Sequence, residues 1–192
     1  MTPLQSEIFR ISTFSWALFI AYWFYAGLQG KKDQQQEPVN RRILYLSVII
    51  LSFGCIYFEP AGINFFTRSL YTPDKLILYT GLFINYAGVI FAIAARLYLG
   101  NNWSARVSIK EDHELITSGP YSITRHPIYT GMLFGIIGAA IIQAETRSIP
   151  AIILFIAGVH LKISYEEKMM RSQFTAYAEY SRRTRKLIPF LY

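Results

Sequence analysis

The stretch PIYTGMLFGIIGAAIIQAETRSIPAIILFIAGVHL (residues 127–161) contains two apolar runs on either side of one short charged segment. A membrane-spanning helix needs about 20 mostly apolar residues, within a range of roughly 17–25. The charged segment, Glu145–Arg147, leaves room only for a tight turn. The stretch therefore predicts two membrane helices in an antiparallel hairpin, with Ser148 as the cap and Pro150 in the first turn of the second helix.

Three more apolar runs precede this hairpin, at Ile11–Gly30, Ile43–Phe58 and Leu76–Ala95. The chain as a whole is 53% hydrophobic and 16% charged, whereas a soluble domain carries about 25% charged residues. We therefore predict an all-α integral membrane protein with five transmembrane helices, folded as one domain over residues 1–192. The predicted spans are residues 11–30, 43–59, 76–98, 127–144 and 149–166.

Two connections between the runs differ in composition. Residues 31–40 (KKDQQQEPVN) are polar throughout, and they are interpreted as a linker. Residues 100–125 are longer and more varied, so they are expected to form structure of their own.

Basic residues are distributed unevenly between the two ends of the predicted helices. The chain has 19 Lys and Arg residues against 12 Asp and Glu, a formal net charge of +7. Fifteen of the 19 follow the first, third or fifth run. Because loops rich in Lys and Arg stay in the cytoplasm, we predict an external N-terminus and a cytoplasmic C-terminus. Residues 99–126 and 162–192 are then cytoplasmic and hold the candidate catalytic residues.

The start of the fourth predicted span carries the first group of candidate residues. Gly119 permits a tight backbone approach, Pro120 stiffens the turn, and Pro127 suits the first turn of a helix. Arg125 and His126 lie beside that helix N-terminus, whose free N–H groups favour anions. An ordinary helix start with an Arg–His pair at the membrane interface explains the same pattern equally well.

The end of the fifth predicted span carries the second group. Carboxylates at a helix C-terminus oppose the helix dipole, so Glu166 and Glu167 need a positive partner. Lys162 lies four residues before Glu166, at the spacing of a helical ion pair. Adjacent acids opposite Arg125 fit a site for a cationic ligand, although a plain ion pair followed by a solvated tail is the alternative. We expect Arg125 and Lys162 to snorkel to the interface and to orient an anion rather than to stabilise the fold.

Several motifs in the C-terminal half of the chain occur in a characteristic order and spacing. They are LGNNWS (Leu99–Ser104), HELITSGPY (His113–Tyr121), RHPIYTG (Arg125–Gly131), the pair Glu166 and Glu167, and YAEYSRRTRKLIPF (Tyr177–Phe190). Together they resemble the isoprenylcysteine carboxyl methyltransferase family, which is related to the phospholipid N-methyltransferases. The resemblance covers roughly residues 99–192.

The resemblance implies an integral membrane enzyme that uses S-adenosylmethionine. It also implies a cytoplasmic cofactor pocket, built from the last two helices and their connections. The cofactor-binding residues that it implies are His113, Glu114, Leu115, Ile116, Tyr121, His126, Pro127, Ile128, Tyr129 and Glu166. The candidate catalytic residues are Arg125, His126 and Lys162. Well-known members of the family have Arg where this chain has Lys162, so bidentate recognition of a carboxylate is not expected there.

We therefore predict methyl transfer to a lipophilic acceptor at the cytoplasmic membrane interface. The acceptor is either a carboxylate, such as a prenylcysteine-like group, or a lipid amine. A carboxylate arrives ionised, whereas an amine must lose a proton, for which His126 is the candidate base. Two alternatives stay open: an NADPH-dependent membrane reductase of the sterol-reductase type, and a non-enzymatic membrane accessory subunit.

The predicted partners are a lipophilic small-molecule or lipidated substrate and membrane lipid. The basic tail SRRTRK (residues 181–186) is interpreted as meeting anionic lipid rather than nucleic acid. Cys55 is the only cysteine, and the three histidines lack the spacing of metal ligands. We therefore predict no metal site.

Overall fold

The computed structural model describes residues 1–27, 33–58, 67–100, 103, 108–110 and 115–188. Within these residues the chain forms six α-helices and two short β-strands. The helices are α1 (Pro3–Gly27), α2 (Val39–Tyr57), α3 (Lys75–Leu99), α4 (Pro127–Gln143), α5 (Ser148–Gln173) and α6 (Tyr177–Arg183). A short 3-10 helix, Gly119–Ser122, precedes α4.

The helical membrane fold predicted from the apolar runs is confirmed. Among the described residues, α2, α3 and α5 are long and apolar enough to cross a membrane, and α4 is a shorter apolar helix. The first helix, α1, has 25 residues but does not belong to that group of three. The count of five spans therefore stays a prediction.

The helix that contains most of the predicted span 11–30 begins before it, at Pro3, because Thr2 and Gln5 form a reciprocal capping box. The Gln5 N–H donates to the Thr2 hydroxyl (3.2 Å), and the Thr2 N–H donates to the Gln5 side chain (3.1 Å). The prediction of Ser148 as a helix cap is wrong: Arg147 holds that position, and the Ser148 hydroxyl donates to the Gln143 side chain instead (2.7 Å).

The prediction that residues 31–40 form a plain linker is also wrong. Strand β1 (Asp33–Gln36) pairs antiparallel with strand β2 (Ser108–Lys110). This ribbon ties the connection after α1 to the connection after α3. The second strand shows that residues 100–125 do form structure of their own, as their composition predicts.

Helices α3 and α4 pack with their backbones close together. A Cβ atom on Gly138 would lie 2.4 Å from the Asn85 backbone nitrogen, and one on Gly131 would lie 2.5 Å from the Gly88 oxygen. Small residues permit such an approach between membrane helices. The buried Asn85 amide donates to an α4 carbonyl (2.7 Å) and accepts from Ser15 of α1 (2.8 Å). One polar side chain therefore links three helices.

A tight turn at residues 144–147 joins α4 to α5, as the short charged segment Glu145–Arg147 predicts. Ala144 has φ +56° and closes α4 in the left-handed conformation. Each helix has its larger interface elsewhere: α4 packs mainly on α3, and α5 packs mainly on α2. Gly158 permits the α2–α5 approach, since a Cβ atom there would lie 2.7 Å from the Ile49 side chain. The second half of α5 lies beside the start of α4, where Glu166 contacts Tyr129.

Candidate functional site

Polar side chains from α4, α5 and the segment before α4 meet where α4 begins. We call this group the α4–α5 cluster, and its members lie close enough to form ion pairs and hydrogen bonds with one another. They are Arg125, His126, Tyr129, Lys162, Glu166 and Glu167. Pro127 is the first residue of α4, as the sequence predicts, and fixes where that helix starts.

The Glu166 carboxylate is held on three sides. The Tyr129 hydroxyl donates to Oε1 at 2.7 Å, and His126 Nδ1 lies 3.4 Å from Oε2. Lys162 Nζ lies 3.8 Å from Oε1, so the ion pair predicted from the four-residue spacing is confirmed. The Glu166 side chain keeps 19% of its surface exposed. It is therefore oriented by the protein and remains partly exposed.

Lys162 lies between two aromatic rings. Its ammonium nitrogen is 5.2 Å from the centre of the Tyr45 ring and 5.8 Å from that of Tyr129, distances at which rings attract cations. Tyr45 comes from α2, is fully buried, and donates its hydroxyl to Glu37. Sequence reasoning missed Tyr45, because nothing separates it from the other aromatic residues of an apolar run.

The Arg125 side chain is buried, and it links the start of α4 to α5 and to residues 181 and 184. Its Nε donates to Glu167 Oε1 at 2.7 Å, and its Nη1 donates to the carbonyls of Ser181 (3.0 Å) and Thr184. The side chain of Arg125 is 7% exposed, and that of Lys162 is 9% exposed. The prediction that both residues snorkel to the interface is therefore wrong, because protein groups distant in sequence cover them.

The residues after α6 lie against the start of α4. We call residues 184–187 the C-terminal strap. The backbone N–H groups of Arg125 and His126 donate to the carbonyls of Arg185 (2.8 Å) and Lys186 (3.2 Å). The Thr124 hydroxyl also donates to the Lys186 carbonyl (2.8 Å). Backbone pairing with residues about 60 positions later thus fixes the segment that presents His126.

His126 lies between the two glutamates. Its Nδ1 is 3.4 Å from Glu166 Oε2, and its Nε2 is 3.5 Å from Glu167 Oε1. Burial lowers the pKa of His126, but the neighbouring Glu166 and Glu167 carboxylates outweigh burial and hold that pKa above its ordinary value. The ring also stacks on Tyr129, with the ring centres 5.9 Å apart. Each ring nitrogen therefore faces a carboxylate, a setting that favours the protonated form of the ring.

The other residues expected to bind the cofactor are distributed around this cluster. Pro127 and Ile128 are buried in the first turn of α4. Tyr121 is buried, its carbonyl accepts from the Tyr180 hydroxyl (2.8 Å), and Leu115 and Ile116 are half-buried. The expected residues His113 and Glu114 lie outside the described part of the chain.

The turn before Tyr121 has the backbone geometry that the sequence predicts for Gly119. Gly119 has φ +58°, and a Cβ atom there would lie 2.6 Å from the Tyr98 ring. Both the conformation and the close contact therefore require glycine.

One family model matches the chain, and the curated relatives include a metal-resistance protein as well as methyltransferases. The model of the isoprenylcysteine carboxyl methyltransferase family matches residues 77–172. A cobalt-zinc-cadmium resistance protein of Cupriavidus metallidurans is 34% identical over 113 residues, which cover 57% of this chain and 50% of that protein. A probable protein-S-isoprenylcysteine O-methyltransferase of Oryza sativa subsp. indica is 26% identical over 160 residues, 79% of this chain and 84% of the rice protein. The chain thus spans half the length of the first relative and most of the second.

A solved structure gives the same result for the fold. The eukaryotic intramembrane Ras methyltransferase, an isoprenylcysteine carboxyl methyltransferase, superposes with a TM-score of 0.64 at 27% identity. The superposition covers 100% of this chain and 69% of that protein.

Proposed function

The chain belongs to the isoprenylcysteine carboxyl methyltransferase family of membrane enzymes, and we propose that it transfers a methyl group from S-adenosylmethionine to the carboxylate of a lipophilic, prenylcysteine-like acceptor. The observation that carries this proposal is the setting of Glu166, which is bound by Tyr129 and flanked by His126 and Lys162. For these four positions the family resemblance implies roles in binding the cofactor or the acceptor.

The chemistry of the α4–α5 cluster fits S-adenosylmethionine. That cofactor carries a sulfonium and an ammonium group as well as a carboxylate. Glu166 offers a partly open carboxylate to a cation, and the faces of Tyr45 and Tyr129 attract cations. The first turn of α4 has N–H groups without intrahelical partners, which favour an anion. We infer that Glu166 binds the cationic part of the cofactor, and that His113–Ile116, Tyr121 and His126–Tyr129 enclose the rest.

The surroundings of His126 favour a carboxylate acceptor over an amine acceptor. S-adenosylmethionine supplies a methyl group already activated by its sulfonium, so the protein mainly has to align the two reactants. A carboxylate arrives ionised and needs no base, whereas a lipid amine needs one. His126 lies between two carboxylates that favour its protonated form. We therefore propose that His126 holds Glu166 and Glu167 in position, since a carboxylate acceptor needs no base.

The surroundings of Lys162 support a role toward the acceptor. Its ammonium group lies beside Glu166, hence beside the proposed cofactor site, and it is a compact point charge rather than a planar fork. We infer that it orients an acceptor carboxylate without fixing a bidentate geometry. We do not assign this role to Arg125, because its side chain is bound to Glu167 and to the residues after α6.

Ligand selectivity tests the proposed activity. The purified protein in detergent is titrated calorimetrically with S-adenosylmethionine, S-adenosylhomocysteine and, separately, NADPH. We expect the first two to bind and NADPH not to bind. Binding of NADPH without binding of S-adenosylhomocysteine would instead support the membrane reductase, an alternative that the family match does not favour.

A further inference from the structure

Five basic side chains in the last turns of α5 and in residues 182–185 are exposed. We call these residues the basic face: Lys168, Arg171, Arg182, Arg183 and Arg185. Arg183 pairs with the exposed Glu179, and Arg171 lies 3.8 Å from Glu167. Within the part of the chain that the structure describes, Arg182 and Arg185 form no ion pair. The face therefore keeps a strong positive charge.

In the strap, the side chains that alternate with these exposed residues are buried against the functional site. Thr184 is 5% exposed and Leu187 is 3% exposed, and Leu187 belongs to the main hydrophobic core. The Arg185 backbone pairs on both sides: its N–H donates to the Ile123 carbonyl (3.4 Å), and its carbonyl accepts from the Arg125 N–H (2.8 Å). The strap thus has an inner face that holds Arg125 and an outer face that carries the charge.

The strap lies beside the start of the apolar helix α4. It pairs with residues directly before Pro127, the first residue of the apolar helix α4. At such a boundary the surface opposite a basic side chain is the headgroup layer of the membrane, and anionic headgroups attract Lys and Arg. We propose that the basic face docks on anionic phospholipid headgroups, and that this contact holds the strap against Arg125 and thereby stabilises the ligand-binding form of the α4–α5 cluster.

Anionic lipid suits this face better than nucleic acid does. Proteins that bind single-stranded nucleic acid combine positive charge with exposed aromatic side chains on which bases stack. The aromatic residues of α6, Tyr177 and Tyr180, are 3% and 9% exposed, because they pack inward. The face offers charge alone, which matches a headgroup layer.

The test compares two bilayers and two double variants. The full chain is placed in nanodiscs of phosphatidylcholine, with or without phosphatidylglycerol. Hydrogen exchange of residues 181–188 and the affinity for S-adenosylhomocysteine are measured in each. The variant R182Q/R185Q removes two outward charges without changing the backbone pairing of the strap. The control R10Q/R68Q removes two exposed charges at the predicted external end.

We expect phosphatidylglycerol to slow the exchange of the strap and to raise the affinity for S-adenosylhomocysteine. A basic residue near an anionic surface contributes about 1 kcal/mol, so the slowing amounts to roughly fivefold for each arginine. The slowing of exchange by phosphatidylglycerol should vanish in R182Q/R185Q and persist in R10Q/R68Q. It should also disappear in about 1 M salt, where charges are screened. Equal exchange in both bilayers would overturn the proposal. So would an equal slowing by soluble RNA or an acidic peptide in pure phosphatidylcholine.

The affinity readout rests on the proposed function, but the exchange readout does not. If S-adenosylhomocysteine binds in neither bilayer while phosphatidylglycerol still protects the strap, the proposed function fails and the lipid contact stands. If the ligand binds with one affinity in both bilayers and the strap exchanges alike, the lipid contact fails and the proposed function stands.

Discussion

At the scale of single residues, Arg125 is expected to stabilise the fold. Its guanidinium joins Glu167 of α5 to the carbonyls of Ser181 and Thr184, and breaking a buried ion pair by removing one partner costs roughly 3–5 kcal/mol. Arg125→Ala should therefore lower the thermal unfolding temperature in detergent strongly. The exposed Arg182→Ala is the control and should leave that temperature nearly unchanged. Equal unfolding temperatures for the two variants would show that Arg125 does not tie the strap to α5.

Substitution of the two adjacent glutamates should have different effects, on ligand binding in one case and on stability in the other. Their side chains point about 100° apart around the helix, and Glu166 meets Tyr129 and Lys162 whereas Glu167 meets Arg125. Glu166→Gln should weaken S-adenosylhomocysteine binding by about tenfold or more, roughly 1.4 kcal/mol, with a smaller drop in unfolding temperature than Glu167→Gln, because the Glu166 side chain is more exposed. Glu167→Gln should show the reverse pattern. Calorimetry and thermal unfolding of both variants check this, and a larger binding loss in Glu167→Gln would mean that the roles are exchanged.

His126 should make stability depend on pH. Its pKa in the folded protein lies above the ordinary value because the nearby carboxylates outweigh burial. A raised folded pKa means that the contribution is complete below the unfolded pKa of about 6.5 and is lost as pH rises through the folded pKa. The unfolding temperature should therefore fall more steeply on the alkaline side in the native protein than in His126→Gln. Parallel curves for the two proteins would contradict this assignment.

Sequence reasoning at this scale succeeded where partners are local. The Lys162–Glu166 pair follows from a four-residue spacing, and Pro127 marks a helix start. The burial of Arg125 could not be predicted, since its partners lie 42 to 59 residues away. Tyr45 was missed for the same reason: its contact with Lys162 depends on how α2 packs against α5.

At the scale of helices, the close α3–α4 contact should be sensitive to a single methyl group. A Cβ atom on Gly138 would lie 2.4 Å from backbone atoms of Asn85, which cannot move aside as a side chain can. Overpacking of this kind costs about 1–3 kcal/mol. Gly138→Ala should therefore lower the unfolding temperature. Gly54→Ala in α2 is a matched control, because nothing lies within 4 Å of its Cβ position, and it should be neutral or stabilising. Equal effects would contradict the packing described.

The helices were predictable because membrane spans need long apolar runs, whereas the smaller elements were not. The Gln-rich strand β1 shows no alternation of apolar and polar residues, so only its pairing with β2 reveals it. The capping box of Thr2 and Gln5 lies in the sequence, but it precedes the apolar run by several residues. Helix α5 continues past its apolar part to Gln173, where ion pairs four residues apart accompany it.

At the scale of the whole molecule, the orientation in the membrane is a prediction from charge. Fifteen of the 19 Lys and Arg residues follow the first, third or fifth apolar run, and we predict that this end faces the cytoplasm. Labelling of single cysteines at Thr72 and at Gln35, in a chain that carries Cys55→Ser, tests this. Thr72→Cys should react with an impermeant reagent from outside the cell, and Gln35→Cys should react only after the membrane is opened. The reverse result would invert the orientation.

The most direct measurement of the central claim is the product of the reaction. The full chain in nanodiscs receives S-adenosylmethionine with a labelled methyl group and a prenylated cysteine with a free carboxyl group. We predict a labelled methyl ester, released as methanol by mild base, and about tenfold less of it with Lys162→Ala, equivalent to roughly 1.4 kcal/mol of barrier. Label that resists base and resides on a lipid amine, or no transfer by a protein that still binds S-adenosylhomocysteine, would contradict carboxylate methylation.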